Sequence, residues 1–284
     1  MTPRLRLILL LACAPLAAQQ PPVSNAKLET KDGASLKAAV TAAASRGSAV
    51  WIGYAVSAAQ QSRGGCCCYE SWNGGSGIRG CALEGGKPAA GAARKGPIEL
   101  EGSTQMMILL RAEGGAVHKI RAFAMDCDVD AGGLPFVWLT GVNPGQSIAM
   151  LKQYAIANGE LRDGAVFAVA MHAGAAAEQA LIDLVQPSQP EDLRRKTLFW
   201  LAQRAGQKAL GVIERAIESD PDTQIKKQAV FALTQLPPDD GVPALITVAR
   251  NNRNREVRRQ AFFWLGQSAD PRAARFLEEV LTSR

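Results

Sequence analysis

Cys66, Cys67, Cys68, Cys81 and Cys127 are the residues of this 284-residue chain best suited to chemistry. A thiolate can attack, exchange, oxidise or hold a soft metal. Three consecutive cysteines cannot all face one way. One pattern the spacing allows is stapling: one of Cys66–Cys68 to Cys81 and another to Cys127, with one thiol left over. The other is a thiolate site for zinc or copper(I), completed by Asp126, Asp128 or His118. Zinc sites pair their cysteines two to four residues apart, and the run from Cys68 to Cys81 does not. Disulfides are therefore the expectation, with metal binding or thiol redox chemistry as the alternative. Asp126, Asp128 and Asp130 alternate as in a calcium loop, but the distal Glu is missing.

Other chemical constellations are sparse. The only histidines are His118 and His172, and neither stands in a metalloprotease helix motif or beside a serine elbow. No phosphate loop or dinucleotide fingerprint occurs, so no cofactor and no catalytic residue is expected.

The compartment follows from the first eighteen residues. Arg4 and Arg6, the apolar run Leu7–Ala12 and the small pair Ala17-Ala18 form the pattern of a secretory signal. Cys13 allows a rival lipoprotein reading. The apolar run is too short to span a bilayer. An exported chain keeps its cysteines oxidised, and a periplasmic or extracellular location is expected. The net charge of +6 is unevenly placed: residues 19–186 are balanced and residues 187–284 carry +4. An excess that small is the charge of solvated helix faces, and no nucleic-acid partner is expected.

The elements that carry these residues divide at about residue 143. Residues 27–142 predict a small α+β domain with a mainly antiparallel sheet. GASLKAAVTAAASRG reads as a helix ending at Gly47, and AVWIGYAV (49–56) alternates as a strand. A long Gly-rich loop follows. TQMMILLRA and AVHKIRAFAM flank Glu113-Gly114-Gly115 as a hairpin, and LPFVWLTG (134–141) reads as a further strand. The helical half then starts at 145, with Ser147 as an N-cap.

That half repeats. RKTLFWLAQ from Arg195, KQAVFALTQ from Lys227 and RQAFFWLGQ from Arg259 are spaced by 32 residues, and DGAVFAVAM from Asp163 fits more loosely. Leu181, Ile213, Leu245 and Leu277 share one register, and Ala229–Leu233 and Ala261–Leu265 mark the core face. A fixed period of this length is the mark of a stacked array. It predicts four two-helix units near 160–190, 191–222, 223–254 and 255–284.

SDPDTQIKKQAVFAL and NRNREVRRQAFFWLG resemble the HEAT-like repeats first associated with phycobilin lyases. The shared pattern is an Asp-Pro-Asp turn, an aliphatic-basic pair (Ile225-Lys226, Val257-Arg258), then Ala229 or Ala261, then Leu233 or Leu265. The resemblance implies an α-solenoid over roughly residues 160–284 and a role in binding another protein, with no lyase activity carried over.

The repeat does not require its aromatics. Phe stands at 167, 199, 231 and 263, with Trp200 and Trp264 beside two of them. Packing between repeats is one reading. The other is a partly exposed ladder, Phe199, Trp200, Phe231, Phe263 and Trp264, that serves as the binding surface. The reading as a whole is an exported, non-catalytic scaffold for protein–protein interaction.

Overall fold

The structure, a computed structural model, describes residues 21–62, 70–73, 76–79, 81–85, 103–125, 127–157 and 159–283. Cys13, Cys66, Cys67, Cys68 and Asp126 lie outside them, as does the leader-like segment. In chain order the strands and first helix are β1 (Val23–Ser24), β2 (Lys27–Asp32), α1 (Leu36–Ala44), β3 (Val50–Ser62), β4 (Glu70–Asn73), β5 (Ser76–Arg79), β6 (Cys81–Ala82), β7 (Ser103–Glu113), β8 (Ala116–Ala124), β9 (Val129–Asp130) and β10 (Pro135–Thr140). The helices α2 (Pro144–Ala157), α3 (Arg162–Met171), α4 (Ala175–Leu184), α5 (Glu191–Ser219), α6 (Thr223–Leu233), α7 (Pro238–Asn251), α8 (Arg255–Gly266) and α9 (Pro271–Thr282) follow.

Alternation in β3 builds the first half. Val50, Ile52, Tyr54 and Val56 face the helices, while Trp51 faces a second apolar cluster that holds Met107, Leu109, Phe136, Cys81 and Cys127. Gly53 is small for a reason: a Cβ there would come within 2.9 Å of Leu109 and Phe136 side-chain atoms. The five strands run in the order β2-β10-β3-β7-β8.

The sheet is mixed, not mainly antiparallel. β10 pairs in parallel with both β2 and β3, whereas β3–β7 and β7–β8 are antiparallel. The clue lies in FVWL of β10, where four successive residues are buried. A strand covered on both faces loses its alternation and belongs inside a sheet. The hairpin expected at Glu113-Gly114-Gly115 forms, with Gly114 and Gly115 at φ 58° and 84°. Such a turn needs positive φ at both central positions, which glycine supplies without strain.

The segment expected as a loop also holds strands. β4 and β5 pair antiparallel from Glu70↔Arg79 to Asn73↔Ser76. β6 pairs with β9 in parallel, and Glu84 just beyond it accepts from Trp51 Nε1 at 2.8 Å and Arg111 Nε at 3.0 Å. Those bonds tie this segment to the main sheet.

The helical half is a HEAT-like solenoid of antiparallel hairpins. Positions one period apart fill its core: Thr197, Leu201, Ala229, Leu233, Ala261 and Leu265 are all at most 1% exposed. The 191–222 unit departs from expectation, since α5 is one helix of 29 residues rather than two. Its midpoint, Arg204-Ala205-Gly206-Gln207, carries a single glycine, which costs a helix only about 1 kcal/mol. The other units break at Gly174 (φ 90°), at Pro237-Pro238 and at Pro271.

The basic member of the aliphatic-basic pair works between helices. Arg162 donates to the Ala155 carbonyl at 2.9 Å, Arg194 to Gln189 at 2.7 Å, Lys226 to Glu218 at 2.6 Å and Arg258 to Asn252 at 2.6 Å. These four are spaced by 32 and serve carbonyls of the preceding helix end or turn, which lack partners within their helix. Asp222 and Asn254 cap the next helices through their side chains. Asn254 adds an inter-repeat bond that a carboxylate could not donate, from Nδ2 to Thr223 Oγ1 at 3.2 Å.

Candidate functional site

Helical geometry sets each Phe two residues past the core position, and so on the flank of the array. Neither full burial nor full exposure results. Phe167, Phe199, Trp200, Phe231 and Trp264 are half-buried, and Phe263 is 54% exposed. The rings form one continuous run from α3 to α8. Phe167 meets Trp200 at 4.9 Å and Trp200 meets Phe199 at 5.0 Å. Phe199 lies parallel to Phe231 at 6.3 Å, and Phe231 meets Trp264 at 5.1 Å. Trp264 meets Phe263 edge-on at 4.9 Å. The Trp264 indole N–H is shielded from water and has no acceptor. Beside the run, Gln203 Nε2 donates to Gln235 Oε1 at 3.1 Å, one period away.

The near end of this run walls a cleft of about 800 Å³ between the sheet and the first helices. α3 stands close against β8 there: a Cβ on Gly164 would lie 2.5 Å from the Ile120 carbonyl oxygen. Met106, Ala122 and Ala124 come from the sheet, Phe167 and Met171 from α3, and Phe199 and Trp200 from α5. No single segment announces such a cleft, because residues of β3, β7, β8, α3, α5 and α6 line it.

A second constellation lies behind α3. Ser147 Oγ is 2.8 Å from Tyr54 Oη and 2.9 Å from His172 Nε2, and His172 Nδ1 is 2.7 Å from the Ala168 carbonyl. The carbonyl can only accept, so Nδ1 carries the proton and Nε2 accepts from Ser147. Tyr54 then donates to Ser147. The distances are those of a nucleophile and its base, but all three side chains are fully buried and His172 faces a neutral carbonyl instead of an orienting carboxylate. Burial pulls the His172 pKa below its ordinary value and pushes that of Tyr54 up. The arrangement satisfies buried polar groups and joins β3, α2 and α3. Ser147 is thus not the N-cap: Asn143 Oδ1 takes that place, accepting from the Gly145 and Gln146 amides. The turn signal Asn143-Pro144 was the residue pair that marked the true cap.

Cys81 and Cys127 are both buried in the apolar cluster that holds Val129, Trp51 and Phe136. Among the described residues, no three of His, Cys, Asp and Glu gather as a metal-holding group. His118 is an exposed residue of β8, with Nε2 3.1 Å from the Glu113 carbonyl. Asp130 Oδ1 accepts from the Gly132 amide at 2.8 Å and from Asn25 Nδ2 at 3.1 Å, so this carboxylate ties down a turn. No described helix is long and apolar enough to cross a membrane.

No curated protein matches the sequence. Residues 212–284, from the second half of α5 to the end of α9, match the family model of HEAT repeats. The match is to HEAT repeats in general and does not single out the short, lyase-type form. Such repeats generally mediate protein–protein interaction, and this part of the chain is similar to them in sequence as well as in fold.

Proposed function

We propose that the chain is an exported scaffold that binds another protein through its aromatic run, and that the repeats perform no chemistry of their own. The observation that carries this reading is the continuity of half-exposed rings across α3, α5, α6 and α8, ending in the exposed Phe263. Aromatic side chains concentrate binding energy because each buries a large area with few rotors. Export is supported by the leader-like residues 1–18 and by Cys81 and Cys127 being disulfide-bonded. The test compares the wild type with Phe231→Ala plus Trp264→Ala in partner capture from envelope extract, with folding checked by circular dichroism. Loss of one defined partner by a folded variant supports the reading, and unchanged capture removes the run as the contact surface. Mass spectrometry with and without reductant counts the disulfides and any bound metal at once.

A further inference from the structure

We infer that the cleft between the sheet and helices α3 and α5 binds a long-chain carboxylate, apolar tail inward. The cleft shares Phe199 and Trp200 with the aromatic run, but its argument does not rest on the partner-binding reading.

The walls come first. Ala58, Ala59, Ala122 and Ala124 line the cleft where bulkier side chains would close it, and Met106, Phe167, Met171, Phe199 and Trp200 supply further apolar surface. A concave, mostly apolar volume of about 800 Å³ at a junction between structural units has the size and the place of a small-molecule site.

Charge then selects the ligand. Among the described residues, Arg121, Arg195, Lys196 and Arg204 line the cleft, against the single carboxylate of Asp163. That carboxylate is already paired with Lys196. Arg195 reaches only Glu191, at 4.0 Å. Arg204 donates through Nη2 to the His172 carbonyl at 3.1 Å, while its Nε is shielded from water and has no acceptor. Burial lowers the Arg204 pKa, and the nearby Glu178, itself paired with Lys208 at 3.0 Å, only opposes that shift. An anionic group entering the cleft supplies counter-charge.

The neutral polar groups exclude a peptide. Among the described lining residues, Gln228 and the indole N–H of Trp200 are the uncharged polar side-chain groups. An extended peptide brings an amide and a carbonyl per residue, each needing a partner once desolvated. β8 cannot supply them at Ile120, because Gly164 of α3 already stands against that carbonyl. An alkyl chain makes no such demand.

The experiment is a titration of the full chain with a fluorescent undecanoate probe, displaced by palmitate, by hexadecanol, by octanoate and by phosphatidylglycerol vesicles. The expected result is saturable, one-to-one displacement by palmitate, at least tenfold weaker displacement by hexadecanol and octanoate, and none by vesicles. Arg195→Gln plus Arg204→Gln weakens palmitate at least tenfold. Ala124→Phe, which fills the cleft from the sheet side, abolishes it with the circular dichroism spectrum unchanged. Arg259→Gln, an exposed charge elsewhere, leaves it as it was. Absence of saturable binding, equal affinity for palmitate and hexadecanol, or full binding by the folded arginine double variant overturns the proposal. Preferential displacement by vesicles also overturns it, in favour of a lipid headgroup. Should Ala124→Phe fail to fold, the arginine double variant decides alone.

Discussion

Ser147 Oγ stands 2.9 Å from His172 Nε2 with both side chains fully buried, so the imidazole has neither water nor an anion to stabilise a proton. Burial holds the His172 pKa below 6.5 in the folded chain, while the unfolded chain keeps the ordinary value. Above 6.5 both states are neutral at this residue and no penalty exists. As pH falls through 6.5 toward the folded value, only the unfolded state gains the proton, and stability is lost. Urea unfolding between pH 7.5 and 5 should show a fall no steeper than about 1.4 kcal/mol per pH unit from this residue. His172→Gln should flatten it. A slope unchanged by the substitution removes His172 as its source. The lowered carboxylates act elsewhere: Asp183 and Asp192 titrate below 3.8 when folded, so their contribution is lost only at more acid pH.

The hydroxyl between the two rings is the vulnerable member. Ser147→Ala strands the Tyr54 phenol and the His172 ring nitrogen together, both without access to water. A buried polar group left unpaired costs about 1–3 kcal/mol. Ser147→Ala should therefore destabilise by more than Tyr54→Phe, which removes one of the partners along with the bond. Chemical denaturation of both variants checks the order, and equal losses would show that water enters the site.

This network was not legible in the sequence, whereas the solenoid was. Ser147 is 93 residues from Tyr54 and 25 from His172, and nothing local links them. The period was legible because each repeat buries the same positions, as Ala229 and Ala261 at 0% exposure show. The basic ladder was half legible: Ile225-Lys226 and Val257-Arg258 marked it, and Leu193-Arg194 and Leu161-Arg162 stand one and two periods earlier. The parallel insertion of β10 escaped because strand order depends on a long excursion of the chain, not on alternation. Continuous α5 escaped because a helix stop was expected by analogy with the other units, while its own midpoint has no proline.

Exposure separates the rungs from the core beneath them. Phe263 is 54% exposed and Leu265, two residues on, is 1% exposed. Phe263→Ala should change stability by no more than about 0.5 kcal/mol, whereas Leu265→Ala should cost about 2–5 kcal/mol. Thermal and urea unfolding of the two variants check this. A large loss from Phe263→Ala would assign that ring to packing and weaken its place in a binding surface.

Burial also ranks the basic ladder. Arg194 Nη2 bonds Asp220 Oδ1 at 3.1 Å, and the two side chains are 7% and 2% exposed. Asp220 Oδ1 also accepts from the Asp222 amide at 2.9 Å, at the turn that starts α6. Arg194→Ala leaves this carboxylate charged and walled in, and removing one partner of such a pair costs about 3–5 kcal/mol. Lys226→Ala, at the next rung, removes one charge-assisted bond from a half-exposed side chain to the Glu218 carbonyl and should cost under about 1.5 kcal/mol. Arg194→Ala plus Asp220→Asn should recover part of the loss, because the neutral amide needs no counter-charge. A double variant as unstable as Arg194→Ala alone would place the cost in the lost bonds to the Pro187 and Gln189 carbonyls instead.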